Sequence, residues 1–220
     1  MAIVLFDIDG TLLTFRGPSP GPGRTAMARA SVDCFGADHT PGLVFAGGTD
    51  LALARAMASA AGISAEAVEA ARGEVLAAYV EHLRREVELR PYVPLGEVAS
   101  TMEWLETAGH VVGLATGNLR EGAGTKLRSA GILCHFALDR GGYGGDHEAR
   151  ADLVAAAIAA CGGGATVVVG DTAADVRAAR DNGAKVVGIT SVSRDPLEDA
   201  DARAPDCGPS LRAALATLLC

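Results

Sequence analysis

Residues 3–13 of the chain read IVLFDIDGTLL, and this stretch decides the predicted fold. Its first four residues, 3–6, are apolar and include β-branched members, which is typical of a strand buried on both faces of a parallel sheet. Asp7 and Asp9 follow directly. Because side chains alternate along an extended chain, two residues at this spacing lie on the same side. Gly10 then allows a sharp turn, since it has no Cβ.

Acids that follow a buried strand are costly to desolvate unless a cation meets them, so this stretch predicts a metal or phosphate site. The alternative is an Asp9-Gly10 turn that closes a β-hairpin, with Asp7 solvated at the strand end. A second stretch favours the site, because residues 166–170 read TVVVG and Asp171 comes next. Ligands bind at the carboxyl ends of strands in doubly wound sheets, so we expect the three acids in one crevice.

Converging carboxylates repel one another strongly unless a divalent cation lies between them. Oxygen ligands with no His or Cys nearby favour Mg²⁺ over zinc. The predicted metal site consists of Asp7, Asp9, Asp171 and Asp175, the last of which lies one helical turn beyond Asp171. For Asp175 the alternative is an acid that complements the dipole of a helix N-terminus.

A third polar segment, Thr116-Gly117-Asn118, follows the predicted strand 111–115. A hydroxyl group and free backbone N–H groups at the start of a helix form an anion site that suits a phosphoryl oxygen. Thr116 is therefore a candidate catalytic residue, and Gly117 and Asn118 are candidate substrate-binding residues. Thr116 could instead only cap the helix that follows.

Composition restricts the class of protein. The 220 residues are 49% hydrophobic and 4% aromatic, which favours closely packed helices over a β-sandwich. The net charge of −8 argues against nucleic acid or a membrane surface as a partner. No apolar run approaches the ~20 residues of a membrane span, and the acidic first strand is no signal peptide. The five cysteines form no CxxC pair, so we expect the reduced thiols of a cytoplasmic protein; they are Cys34, Cys134, Cys161, Cys207 and Cys220.

The order of elements predicts an α/β protein whose doubly wound, Rossmann-like parallel sheet is interrupted by a helical insert. Residues 17–23, rich in Pro and Gly, are predicted to form a linker. The predicted helices of the insert are 24–36, 49–62 and 64–88. After the insert the chain is predicted to alternate: helices at 96–108, 119–130, 148–160 and 173–182, strands at 111–115, 134–138, 166–170 and 184–189, and a glycine-rich loop at 141–145.

Asp7-Ile8-Asp9-Gly10-Thr11, then Thr116 at a strand end, then Gly170-Asp171 with Asp175, resemble the motifs of the haloacid dehalogenase superfamily, chiefly its Mg²⁺-dependent phosphatases. The resemblance implies a catalytic core made of residues 1–15 and 92–220. It also implies that residues 16–91 form an α-helical cap, as in phosphoglycolate phosphatase-like members.

By this resemblance Asp7 is the nucleophile that accepts the phosphoryl group as an aspartyl-phosphate, and Asp9 is the general acid and base. A carboxylate suits the first role because it is already ionised at neutral pH. Many relatives add a Lys-Pro pair that supplies a cation, and this sequence has none. Arg150, between Thr116 and Asp171, is the preferred substitute, and Lys126 is the alternative.

The cap supplies selectivity in this architecture. Residues 47–50, with Thr49 as a substrate-binding residue, are the first candidates for it, and Arg16 and Arg24 are the second. The alternative is that Thr49 only caps a helix and that the arginines are surface residues.

The predicted function is a Mg²⁺-dependent phosphatase that hydrolyses a small phosphorylated metabolite, as a monomer or a homodimer. A phosphomutase of the β-phosphoglucomutase type would use the same Asp7 and Asp9. A non-catalytic phosphate-binding regulatory protein is a further alternative. The sequence does not indicate which metabolite is bound.

Overall fold

The computed structural model describes residues 1–219, and at residues 70 and 71 it describes the backbone alone. The strands are β1 (Ile3–Phe6), β2 (Leu13–Phe15), β3 (Tyr92–Pro94), β4 (Val111–Thr116), β5 (Gly141–Tyr143), β6 (Thr166–Gly170), β7 (Lys185–Ile189) and β8 (Ala202–Ala204). The helices are α1 (Pro22–Phe35), α2 (Asp50–Ala60), α3 (Ala65–Leu89), α4 (Val98–Thr107), α5 (Arg120–Ser129), α6 (Arg150–Ala160), α7 (Ala173–Asp181) and α8 (Pro209–Leu218).

Six strands form one parallel sheet in the order β5-β4-β1-β6-β7-β8. β1 lies inside this sheet, where Phe6 pairs with Leu114 of β4 and Val169 of β6. The alternative of a hairpin at Asp9-Gly10 is therefore wrong, because both neighbours of β1 are distant in sequence and run parallel to it. The register brings the carboxyl ends of β1, β4 and β6 to the same edge.

Helices cover both faces of this sheet, as the apolar run in β1 requires. Val4 and Phe6 belong to a buried cluster with residues of α4, α5 and α8, whereas Ile3 and Leu5 belong to one with residues of α6 and α7. The period of two along β1 thus divides its side chains between two cores. The predicted doubly wound α/β fold class is confirmed.

The helical insert between β2 and β3 contains α1, α2 and α3. Its two ends meet, since β2 and β3 pair in an antiparallel way with Leu13 opposite Pro94. The predicted helices match within a few residues. Thr49 and Ser64 cap α2 and α3, and each side chain accepts a backbone N–H of the first turn. The predicted linker 17–23 is too long, because α1 begins at Pro22, a residue that suits a first helical turn.

Two other local predictions are wrong. Residues 134–138 are not a strand: a short 3₁₀ turn, Leu133–His135, lies there instead. The strand that edges the sheet is β5, inside the glycine-rich segment predicted as a loop. Glycine disfavours strands, which hides β5 from a propensity argument. It is tolerated here because a Cβ at Gly142 would overlap the carbonyl group of Leu153 on α6.

β8 and α8 were not predicted, and they complete the sheet edge and one helical layer. Cys34, Cys134, Cys161 and Cys207 are free thiols. Cys220, the fifth predicted thiol, lies outside the described residues. Across residues 1–219, none of the helices has the length and apolar character that crossing a bilayer demands.

Candidate active site

Three acids meet at the carboxyl edge of the sheet. Asp7 follows β1, Asp171 follows β6, and Asp175 lies in the first turn of α7. One carboxylate oxygen from each lies within 4.8 Å of the other two. Gly10 makes room for this group, because its φ is +83° and a Cβ there would overlap the Asp171 carboxylate. The predicted convergence of acids from distant parts of the chain is present.

The electrostatics of this group favour a cation. Burial raises the pKa of Asp7 to about 6, with Arg150 opposing and Asp175 adding to the shift. Burial, followed by repulsion from Asp7 and Asp175, raises the pKa of Asp171 to about 8. The donors are all carboxylate oxygens, a set that fits Mg²⁺. The carboxylate of Asp9, also predicted as a ligand, is not a member of this group.

Arg150 links two of these acids. It is the first residue of α6, and its side chain is only 9% exposed. Its Nη2 lies 2.9 Å from Oδ1 of Asp7 and 2.7 Å from Oδ1 of Asp175. The other oxygen of Asp175 accepts hydrogen bonds from the backbone N–H and the hydroxyl of Thr172, in a capping box that begins α7. Asp175 therefore both caps a helix and holds Arg150.

Lys126 forms an ion pair with a different acid, Asp9. Its buried ammonium group, on α5, donates to Oδ2 of Asp9 and to Oδ1 of Asn118, both at 2.6 Å. The Asn118 amide nitrogen donates to the same Asp9 oxygen at 2.7 Å and to the Thr116 hydroxyl at 2.8 Å. The side chain of Asp9 remains 43% exposed. Both candidate cations are thus in the site, one beside Asp7 and the other beside Asp9.

The remaining predicted residues occupy the seam between the sheet edge and α2. Thr116 is fully buried, and its hydroxyl oxygen also accepts the N–H of Asn118 at 3.3 Å. The carbonyl of Gly117 accepts the N–H of Asp50 at 2.7 Å. Thr49 caps α2 and donates its hydroxyl to the Glu148 carbonyl at 3.2 Å. The capping role that the sequence left open for Thr49 is therefore present.

A cavity of about 340 Å³ joins the acids to the helical insert. Asp7, Asp9 and Asp171 line its sheet side, together with Lys126 and Arg150. The wall formed by the insert, β2 and β3 contains residues that sequence reasoning did not assign to the site: Phe15, Phe45, Tyr79 and Tyr92. Arg24 lines the same wall, whereas Arg16 is exposed and does not line the cavity. The only signal for these four positions in the sequence is that they are aromatic in a chain with few aromatic residues.

The loop that follows β7 forms hydrogen bonds with the backbone of Asp171 and of Ala173. The sequence did not predict this contribution to the site. The Ser193 hydroxyl donates to the backbone carbonyl of Asp171 at 2.5 Å. The carboxylate of Asp195 accepts the N–H of Ala173, the first residue of α7, at 2.6 Å. Its position directly after a parallel strand was the signal that could have found it.

Comparisons with known proteins agree with this geometry. A family model described as haloacid dehalogenase-like hydrolase matches residues 1–183. A hydrolase from Pseudomonas syringae has a similar structure, with 18% identity over 99% of this chain and 98% of that one and a TM-score of 0.68. CbbY from Rhodobacter sphaeroides in complex with phosphate has 16% identity over 100% of this chain and 99% of that one, with a TM-score of 0.66.

A CbbY mutant in complex with xylulose-(1,5)bisphosphate is also similar, with 15% identity over 94% of this chain and 96% of that one and a TM-score of 0.65. At such identities the structural likeness shows the fold alone. No curated protein sequence matches the chain.

Proposed function

The chain belongs to the haloacid dehalogenase-like hydrolases, whose family model matches residues 1–183, and from this premise we propose that it is a Mg²⁺-dependent phosphatase acting on a small phosphomonoester. The predicted family is confirmed, and with it the prediction that the chain is a hydrolase. The reaction, the metal and the role of each residue are part of the proposal.

The observation that carries the proposal is the surrounding of Asp7. Its side chain is 7% exposed and lines the cavity, and its carboxylate lies 2.9 Å from the Arg150 guanidinium. Burying a carboxylate at a cavity wall costs desolvation free energy, which is typical of a functional residue. The guanidinium favours the ionised form that a nucleophile needs. The Asp171 carboxylate beside it suits a divalent cation rather than a structural ion pair.

In the first step an oxygen of Asp7 attacks phosphorus, and the bond from phosphorus to the ester oxygen breaks. Asp9 gives its proton to that departing oxygen, so an alcohol leaves. In the second step Asp9 takes a proton from water, whose oxygen attacks phosphorus, and the bond to Asp7 breaks. Phosphate leaves, and both carboxyl groups return to their starting states.

We assign the two cations to these two acids. Arg150 keeps Asp7 ionised and places its charge next to the phosphoryl group. Lys126, with Asn118, fixes the position of Asp9. The Thr116 hydroxyl accepts hydrogen bonds from Asn118, so its own hydrogen is left to donate to a phosphoryl oxygen. A Mg²⁺ ion held by the three-acid group would neutralise charge on the phosphoryl oxygens.

The helical insert is assigned as a cap over a core made of residues 1–15 and 92–220. It is connected to the core by β2 and β3, which lie side by side. The start of α2 contacts the sheet edge through hydrogen bonds from Asp50 N–H to Gly117 and from Leu51 N–H to Gly144. A cap in this position excludes water from the reacting group during transfer.

Hydrolysis of p-nitrophenyl phosphate with and without Mg²⁺ tests the proposal. We expect metal-dependent release of nitrophenol and of inorganic phosphate, lost at least a hundredfold in Asp7→Asn because an amide is not a nucleophile here. Asp146→Asn, which changes an exposed acid in a nearby loop, is the matched control and should keep the activity. An undiminished rate in Asp7→Asn contradicts the nucleophile. A requirement for an added sugar bisphosphate would indicate a phosphomutase instead.

A further inference from the structure

Arg24 is the cation of the cavity that the proposed mechanism does not use. Three cationic side chains line the cavity: Arg24, Lys126 and Arg150. Lys126 pairs with Asp9, and Arg150 pairs with Asp7 and Asp175. Within residues 1–219 no carboxylate oxygen lies within 4.0 Å of Arg24. Among the described residues Arg24 thus has no direct ion pair, although hydrogen bonds from Thr40 and, to a smaller extent, the charge of Arg24 lower the pKa of the Asp38 carboxyl. The Arg24 side chain lines the space that a substrate would fill.

The position of the Arg24 guanidinium is fixed by its surroundings. Its central carbon lies over the Phe45 ring, 4.6 Å from the ring centre, a cation–π contact that holds the group at this side of the cavity. One of its five N–H groups donates to the Thr40 carbonyl at 3.3 Å. The nearby carboxylate of Asp38 instead accepts the N–H and the hydroxyl of Thr40, at 2.8 and 2.7 Å. Arg24 thus keeps most of its donors free.

Gly23, the residue before Arg24, leaves room in the cavity beside Lys126. A Cβ at Gly23 would lie 3.2 Å from the Tyr92 hydroxyl and 3.4 Å from the Lys126 ammonium group. Any larger side chain at position 23 would enter the region beside Tyr92 and Lys126. The absence of that side chain leaves one continuous cavity with the acids at one side and Arg24 at the insert side.

We propose, resting on the phosphatase function above, that Arg24 is a specificity residue that binds a second anionic group on the leaving part of the substrate. The substrate class is then phosphomonoesters that carry a further carboxylate or phosphate. A planar guanidinium with free donors matches either group in a bidentate way. The apolar walls around it, including Phe15 and Phe45, lower the local dielectric and strengthen such a pair.

Two pairs of substrates test this assignment and separate its two forms. 3-Phosphoglycerate and glycerol 3-phosphate differ by a carboxylate, and fructose 1,6-bisphosphate and fructose 6-phosphate differ by a phosphate. We expect the member with the second anionic group to be preferred in at least one pair, and Arg24→Met to lower its kcat/KM about tenfold to a hundredfold, mainly through KM. The member without the second anionic group should change less than about twofold, and Arg24→Lys should restore part of the loss.

Arg16→Met is the matched control, because Arg16 is also an arginine at the start of the insert but is exposed and outside the cavity. It should leave all four rates unchanged. Equal losses on both members of both pairs in Arg24→Met would overturn the proposal. So would hydrolysis by the wild type with no preference, in either pair, for the member with the second anionic group.

Binding measured without turnover separates this proposal from the phosphatase function. In the Mg²⁺-loaded Asp7→Asn background, calorimetric titration with 3-phosphoglycerate and fructose 1,6-bisphosphate should show weaker binding when Arg24→Met is added. If binding depends on Arg24 but the wild type hydrolyses neither the four compounds nor p-nitrophenyl phosphate, the subsite stands and the phosphatase function fails. If hydrolysis occurs but binding and rates ignore Arg24, the phosphatase function stands and the subsite is refuted.

Discussion

The buried carboxylate of Asp50 should make stability depend on pH in a defined direction. Asp50 is the first residue of α2, and its Oδ2 accepts the N–H of Leu119 at 2.8 Å. Burial raises the pKa of Asp50 from 3.8 to about 6, against the opposing effects of Lys126 and the Leu119 N–H. The folded protein therefore binds this proton more tightly than the unfolded chain does. Its stability relative to a variant with a neutral residue should fall as the pH rises from about 4 to about 6.

The size of the effect follows from the two pKa values. A difference of about two between the folded and unfolded states corresponds to about 3 kcal/mol, an order-of-magnitude figure. Asp50→Asn keeps an oxygen for the Leu119 N–H and removes the charge. About 2 kcal/mol of the difference in unfolding free energy between Asp50→Asn and wild type should develop between about pH 4.5 and about pH 8, in favour of the variant.

Urea unfolding of both proteins at a series of pH values measures this difference directly. Asp146→Asn is the control, because Asp146 is exposed and the substitution should shift stability by less than about 0.5 kcal/mol at every pH. Asp50→Ala also removes the acceptor of the Leu119 N–H, so it should gain less stability than Asp50→Asn. A difference between Asp50→Asn and wild type that stays constant with pH, or shrinks as the pH rises, would refute the reasoning.

Three other changes probe the acid group. Arg150→Met should lower kcat/KM at least about a hundredfold and reduce the unfolding free energy in urea by about 3 kcal/mol, since Asp7 and Asp175 lose their shared cation. Arg150→Lys, which keeps only the charge, should have an activity between those of the wild type and Arg150→Met. Equal activity in the wild type and both variants would contradict the role of Arg150. Millimolar Mg²⁺ should raise the thermal midpoint of the wild type over chelator-treated protein, and Asp171→Asn should reduce this gain; an identical gain argues against Asp171 as a ligand. Gly10→Ala should destabilise the protein by about 1–3 kcal/mol, because its φ is +83° and the new Cβ meets Asp171; an unchanged urea midpoint would mean that the turn relaxes.

The sequence was sufficient to predict the meeting of Asp7 and Asp171 because that meeting follows from topology. Both residues come directly after strands with uninterrupted apolar runs, and such strands belong inside a parallel sheet. Neighbouring parallel strands end at the same edge, whatever lies between them in the chain. The fold class and the family followed from the same stretches, and both are confirmed.

The parts that could not be predicted depend on docking rather than on local pattern. β5 consists of two glycines and a tyrosine, so it has no pattern of alternating apolar and polar residues. It forms because α6 packs against its backbone. The wall of the cavity combines Phe15 from β2 with Phe45 from the insert, which are brought together only when the insert folds over the sheet. No spacing along the chain encodes such a contact.

Chain spacing preferred Arg150 over Lys126 but did not indicate that the two cations have different partners. It pointed to one cation for one position, but two acids, Asp7 and Asp9, each have a cationic partner. Lys126 reaches Asp9 because α5 presents its buried face to the turn, a direction that separation in sequence does not encode. Among the described residues Arg150 then remains the only Lys or Arg within 4.0 Å of the group formed by Asp7, Asp171 and Asp175. When the three carboxylates are ionised, one guanidinium leaves two of them unneutralised, and two positive charges are what a divalent cation supplies.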